Sequence, residues 1–389
     1  MAKKVSDYNI LKRADGRWYV QLMQDGKKVY IYGKTKNEVA TKLKSKLKDI
    51  EEAAVNGLTN YLEADKYTVL QWANQCLKSY SKNAVRGSTY ASYLTIINNY
   101  LGTLGERRLS DVSNVMIQDH ITFLARKPGK DGLGEKSLIN VKNFLSLIFN
   151  KAVANNMLLR SPVIDIEIPK CGSKVTRALS EEEQHRLLDA ARNYERPIMF
   201  AVVFALYTGC RKGEVLGLQW KDVDFDRRCI SISKQLTRSY DMTESGENTT
   251  VLGLSEPKTD KSVREIYICA KFADEFREFK NRMMKWKREH KMKHSEDDFV
   301  FIGEKNKPIE PRVFYKYYQE VMEIAEIDDC NFHTLRHTFA TRCIEKGMDI
   351  LMVSRTLGHS NISTTLNKYS HLLPKHQIAC MEKLDEGYY

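Results

Sequence analysis

The sequence predicts a multidomain α+β protein. It begins with a small three-stranded sheet plus helix, continues as an all-α middle domain, and ends in a mainly α domain with a small β-sheet. Three observations lead there. The 389 residues exceed one ordinary domain and suggest two or three. Two Asp-Gly pairs, Asp15-Gly16 and Asp25-Gly26, lie between short β-prone runs at the N-terminus, and Asp-Gly is a strong hairpin signal. Beyond residue 68 the apolar residues recur mainly at helical spacing.

In the first module the β-prone runs are 8–13, 17–24 and 27–32. A helix follows, with Val39, Leu43, Leu47 and Ile50 on one face. Residues 1–62 carry 13 basic and 7 acidic side chains, so half of the chain's net charge of +12 lies there. Such a sheet either only folds or lies in a DNA groove, as small sheets do. In the middle domain, 63–170, Gly87-Ser88 reads as a helix start with Ser88 as N-cap. Leu94, Ile97, Leu101 and Leu104 supply its apolar stripe. Gly134 precedes a second helix with Leu138, Val141, Leu145, Ile148 and Phe149 at helical spacing.

Residues 168–176 have the composition of a linker. Directly after it, Ser180 and Glu183 form a capping box, which starts a third domain, 177–389. Inside this domain, 216–233 and 262–268 contain β-prone runs. Residues 238–254, rich in Thr, Ser, Glu and Gly, read as an extended hairpin or loop. The basic stretch 277–294 either touches phosphates or is a solvated helix with one apolar face.

Composition narrows the function. A hydrophobic share of 42% supports real cores, and the longest apolar run, 198–206, is far below the roughly 20 residues of a membrane span. The N-terminus lacks the apolar core of a secretory signal, so a cytoplasmic protein is expected. The positive charge favours a polyanionic partner, most often nucleic acid. The eight cysteines are scattered without a CxxC pair, which argues against a structural zinc site and for free thiols. GxxxxGK[ST], GxGxxG and HExxH are all missing. Asp222, Asp224 and Asp226 resemble the start of a calcium loop, but Arg227 and Ser233 stand where Gly and Glu are needed. Those carboxylates are expected to cap a turn instead. His333 and His337, spaced i,i+4, have no carboxylate or thiolate near them in the motif to complete a metal site.

Four boxes in order make the C-terminal domain recognisable. They are Tyr207-Thr-Gly-Cys-Arg211-Lys-Gly-Glu214, His333-Thr-Leu-Arg336-His337, Leu357-Gly-His359-Ser and Tyr369-Ser-His371. Together they resemble the tyrosine recombinase, or phage integrase, family. Pro257-Lys258-Thr259, followed by Ser262-Val-Arg264-Glu-Ile, resembles that family's β-hairpin lysine box. The helical middle domain is similar to the family's core-binding domain. The front module looks like the arm-binding domain of conjugative-transposon and related integrases.

The resemblance implies a site-specific recombinase that needs neither metal nor ATP. Arg211 and Arg336 would clamp the non-bridging oxygens of a DNA phosphodiester and stabilise charge at the pentavalent phosphorus. Tyr369 would attack phosphorus, with His333 as base. Lys258 would protonate the leaving 5′ oxygen, with Lys261 its rival for that role. His359 would donate a hydrogen bond to the phosphate, and Glu214 would orient Arg211 or a histidine. His337 and His371 read as structural. Implied partners are double-stranded DNA at core and arm sites, three further copies of the chain in a tetramer, and an accessory DNA-bending or excision factor, in the bacterial cytoplasm on the nucleoid. A type IB topoisomerase shares the catalytic set, and a DNA-binding protein with an inactive recombinase domain is the rival from outside enzymology. After Tyr369, Ile378, Met381 and Leu384 make a narrow apolar helix face that would dock on a neighbouring protomer or on its own domain.

Overall fold

The computed structural model describes residues 8–24, 27–55, 64–81, 84–126, 132–170, 177–240, 250–256, 263–303 and 306–369. The chain divides into two compact units, Met1–Ser173 and Lys174–Tyr389.

The first unit opens with an antiparallel sheet, β1 (Ile10–Lys12), β2 (Trp18–Gln24) and β3 (Lys27–Gly33), in that order. The β2–β3 pair runs in register from Trp18↔Gly33 to Gln24↔Lys27. Asp25 and Gly26 lie outside the described residues. The other Asp-Gly pair does not make a two-residue turn, because β1 ends at Lys12 opposite Trp18. The wider loop is closed by Arg13 N–H to Arg17 O at 2.8 Å, with Gly16 at φ +84° and the Asp15 carboxylate holding the Arg17 N–H and guanidinium. Helix α1 (Lys36–Val55) covers one face, where Val20, Leu22, Val39 and Leu43 are buried together. The period-two alternation of β2 and β3 puts Tyr19, Tyr30 and Tyr32 elsewhere, in a ring cluster with centroids 6.1–6.3 Å apart. Tyr30 and Tyr32 are exposed, and the Arg17 guanidinium lies over Tyr32.

The rest of this unit is helical: α2 (Val69–Cys76), α3 (Gly87–Tyr100), α4 (Gly102–Gly105), α5 (Asn114–Ala125) and α6 (Glu135–Ala154). The expected stripe of α6 is buried as Leu138, Val141, Leu145, Ile148 and Phe149, with Phe144 beside it. Ser88 is not an N-cap. Arg86 holds that position without a side-chain capping bond, and Ser88 sits in the first turn, where its carbonyl accepts from Ser92 Oγ.

The second unit contains α7 (Glu181–Asn193), α8 (Phe200–Thr208), α9 (Lys212–Leu216), α10 (Ala270–Glu289), α11 (Pro311–Ile324), α12 (Phe332–Glu345), α13 (Ile350–Leu357) and α14 (Ser363–Tyr369). The Ser180–Glu183 capping box forms, with Ser180 Oγ accepting from Glu183 N–H at 3.1 Å and Glu183 Oε2 accepting from Ser180 N–H at 2.8 Å. Strands β4 (Val223–Asp224), β5 (Cys229–Ile232) and β8 (Arg264–Tyr267) form one antiparallel sheet, and β6 (Gln235–Tyr240) pairs with β7 (Thr250–Ser255). The stretch 238–254 is therefore a paired hairpin in its described part; residues 241–249 lie outside it. Asp224 Oδ1 caps a turn by accepting from Asp226 and Arg227 N–H.

A stack of aromatic rings fills the core. Phe200 lies 4.4 Å from Phe279, and Tyr207 lies 4.4 Å from Phe272. Helix α10 thus buries a phenylalanine face. Lys287, in the basic stretch, departs from expectation: it is 2% exposed and gives a 2.7 Å hydrogen bond to Asp298.

Candidate active site

Three chain reversals in the second unit bring the sequence boxes together. Gly209 ends α8 in the left-handed region, at φ +64°, and a Cβ there would fall 2.4 Å from Phe339 Cδ1. Glycine is therefore required both by the turn and by the close approach, and the turn delivers Arg211 as N-cap of α9. Gly358 ends α13 in the same conformation, at φ +66°, and delivers His359. Asn331 caps α12, its Oδ1 accepting from His333 N–H at 2.9 Å and Thr334 N–H at 3.3 Å. One turn of α12 then carries His333, Arg336 and His337.

Arg336 is 2% exposed, and its two terminal nitrogens donate to Gly209 O at 2.9 Å and Leu357 O at 2.6 Å. Arg211 donates to Glu214 Oε1 at 2.8 Å and to Gly358 O at 3.3 Å. The two guanidiniums are thus anchored on the consecutive carbonyls of Leu357 and Gly358. His359 Nδ1 pairs with Thr365 Oγ1 at 2.7 Å. Tyr369 is buried at the end of α14 among Ala340, Ile344, Val353 and Leu357. Its hydroxyl meets His337 Nδ1 at 2.9 Å, and the two rings stack at 5.0 Å. The hydroxyl's hydrogen bond therefore goes to His337 and not to His333. Lys258 and Lys261 lie outside the described residues, as do His371 and the segment 372–389.

Two side chains without a nominated role emerge at the site. His337 read as structural, yet it touches the Tyr369 hydroxyl; its spacing of one helical turn from His333 was the available signal. Arg264 spans both Glu214 oxygens, at 3.1 and 2.9 Å. It belongs to the same box as Lys258, but its partner lies far away in sequence.

The electrostatics follow from this crowding of arginines. Burial, and next the Arg211 charge, lower the Arg336 pKa to about 9, so the group remains cationic at neutral pH. Burial alone would raise Glu214; the hydrogen bonds and charge of Arg264, with help from Arg211, instead hold it near 2. Desolvation, followed by the charges of Arg336 and Arg211, lowers His359 to about 4. The same causes, with Lys368, lower His333 to about 4. His333 is exposed in the fold, so solvent screens part of this shift. Burial raises the Tyr369 phenol to about 12, partly opposed by Arg336. At neutral pH only on the order of one hydroxyl in 10⁵ is then phenolate.

A pH dependence of stability follows. Unfolded histidine titrates near 6.5, whereas His333 and His359 titrate near 4 in the fold. Between those values the unfolded chain holds more protons, so acidification favours unfolding. The contribution is present in full above pH 6.5 and is lost as the pH falls towards 4. We expect the Tm of wild type to drop more steeply from pH 7 to 4.5 than that of the His333→Gln/His359→Gln variant. The difference should be about 2–4 °C, the equivalent of about 1 kcal/mol in a domain of this size. Parallel slopes in the two proteins would contradict the shifts.

A match to the model of the phage integrase family spans residues 177–376, and a match to the phage integrase SAM-like domain spans 68–168. The chain belongs to the phage integrase family. It is 28% identical to a XerC-like tyrosine recombinase of Caldanaerobacter subterraneus subsp. tengcongensis over 376 residues, covering 91% of this chain and 90% of that one. It is 26% identical to the ICEBs1 integrase of Bacillus subtilis over 297 residues, or 76% and 77% of the two chains. Among solved structures, that of the Tn1549 transposon integrase in complex with a circular intermediate DNA superposes with a TM-score of 0.67. It has 23% identity and covers 82% of this chain and 99% of that one. The protein is thus a tyrosine recombinase of the integrase type, an enzyme that cleaves and rejoins DNA. The expected family, fold class and reaction stand. No described helix is long and apolar enough to cross a membrane.

Proposed function

We propose that this recombinase integrates or excises a mobile element through a 3′-phosphotyrosyl intermediate on Tyr369, with Arg211 and Arg336 as the phosphate clamp. The observation that carries this is the side-by-side anchoring of two guanidiniums on Leu357 and Gly358. Like charges brought together and partly stripped of water call for an anion, and a phosphodiester offers paired oxygens to paired forks. The Tyr369 oxygen forms a bond to phosphorus while the bond from phosphorus to the 5′ oxygen breaks. The 5′ hydroxyl leaves with a proton from Lys258, and a second 5′ hydroxyl reverses the step. Neutral His333 would take the phenol proton once Tyr369 has left its hydrogen bond to His337, and neutral His359 would donate to the phosphate.

The three-domain division 1–62, 63–170 and 177–389 belongs to this proposal. The middle domain and the catalytic domain would grip core-site duplex. The front module would bind separate arm sites through the face that carries Tyr19, Tyr30, Tyr32 and Arg17. Its net charge of +6 supports that assignment. Four copies would act together on two duplexes, aided by an accessory bending or excision factor, on the bacterial nucleoid.

The test is a footprint on attachment-site DNA with the full chain and with a chain starting at residue 63. The shorter chain should keep core-site protection and lose arm-site protection. Identical footprints would refute the role of the front module. A covalent adduct formed equally well on any plasmid would point to a relaxing topoisomerase instead.

A further inference from the structure

We infer that Arg264 is a positioning residue for strand cleavage, one that keeps the Arg211 guanidinium available to the scissile phosphate. This rests on the assignment of Arg211 as a phosphate clamp.

Arg264 opens β8, paired with Ile232 of β5, and its side chain is 6% exposed. Each of its three side-chain nitrogens donates a hydrogen bond. Two take the separate oxygens of Glu214, and Nε donates to Thr356 O at 2.6 Å. Gly358 is seated directly on it: a Cβ there would lie 3.0 Å from Arg264 Cδ and Nη1. Arg264 therefore links α9, which carries Glu214, to the turn that delivers His359. Arg211 closes the same circuit from the other side, through Glu214 and the Gly358 carbonyl.

The circuit has a consequence for charge. Glu214 is 6% exposed and is the carboxylate shared by the two arginines. One carboxylate neutralises one guanidinium. With both oxygens also held by Arg264, the single negative charge of Glu214 is divided between two guanidiniums, and Arg211 keeps part of its positive charge for an incoming anion. Without Arg264, Glu214 would bear wholly on Arg211 and compete with the phosphate. Lysine cannot take this place, because a single ammonium cannot span two carboxylate oxygens and a carbonyl in fixed directions. Arg264 touches no reacting atom in this scheme; it acts through Arg211.

A substrate ratio separates positioning from support of the fold. Two suicide duplexes are made from the attachment site, one with the natural phosphodiester and one with a methylphosphonate at the cleavage position. Replacing a non-bridging oxygen by methyl removes the negative charge that the clamp neutralises. Each protein is scored by its cleavage rate on the first divided by its rate on the second. Loss of folded protein lowers both rates alike and cancels. We expect Arg211→Ala to lower the ratio by about 100-fold or more. Arg264→Lys and Arg264→Gln should lower it in the same sense by about tenfold, since the clamp is present but misdirected. A lowered ratio for Arg211→Ala with a wild-type ratio for both Arg264 variants would overturn this proposal alone. An unchanged ratio for Arg211→Ala would overturn the clamp assignment, and the role of Arg264 with it.

Discussion

Tyr369→Phe is expected to abolish the covalent protein–DNA adduct and leave core-site binding at wild-type strength. The phenol oxygen is the proposed nucleophile, and phenylalanine lacks it, so the cleavage rate falls to background instead of being scaled down. The ring itself is packed among Ala340, Ile344, Val353 and Leu357, and phenylalanine fills the same space. The lost hydrogen bond to His337 costs about 0.5–1.5 kcal/mol. A gel shift and an SDS-resistant band measured on the same suicide duplex separate the two effects. A covalent band from the Phe variant would move the nucleophile elsewhere.

Arg211→Lys is the second large effect. Lysine keeps the charge but loses the fork that reaches Glu214 and the Gly358 carbonyl together. Cleavage should fall by about 10²–10³-fold or more, the usual consequence of losing a directed donor to transition-state charge. DNA affinity should change little, because phosphate contacts elsewhere along the duplex carry it. Stability should change by no more than about 1 kcal/mol, since Arg211 is 36% exposed and Glu214 keeps Arg264. Single-turnover cleavage, a binding isotherm and a thermal melt check the three expectations. Near-normal cleavage by the Lys variant would end the clamp assignment.

Much of this molecule was legible in the sequence because its signals are local. The stripe of α6 and the Ser180–Glu183 box each involve residues within a few turns of one another, and they form as expected. Two local signals misled. Ser88 carries an N-cap residue type, but the helix begins two residues earlier than such a cap implies, with Arg86 in the cap position. Asp15-Gly16 suggests a two-residue turn, yet the bond from Arg13 N–H to Arg17 O closes a wider loop. The catalytic boxes were legible as motifs, and the glycine turns at 209 and 358 bring them to one place. The couplings within the site were not legible. Arg264 lies on a four-residue strand, too short to show which face is buried, and its partner Glu214 comes from another element. His337 looked like a helix-packing residue because its link to Tyr369 depends on how α14 returns to α12. Lys287 sat in a basic run that read either as touching phosphates or as a solvated helix with one apolar face, and its burial rests on a partner in the following loop, Asp298.

In the proposed mechanism Tyr369 carries the cleaved DNA. The most direct measurement traps the wild-type enzyme on a suicide duplex cut from the attachment site, digests protein and DNA, and sequences the nucleotide-bearing peptide by mass spectrometry. A single modified peptide is expected, with a 3′-phosphonucleotide on the Tyr369 oxygen. The same linkage found on another residue, such as Tyr388 or Tyr389, would contradict it.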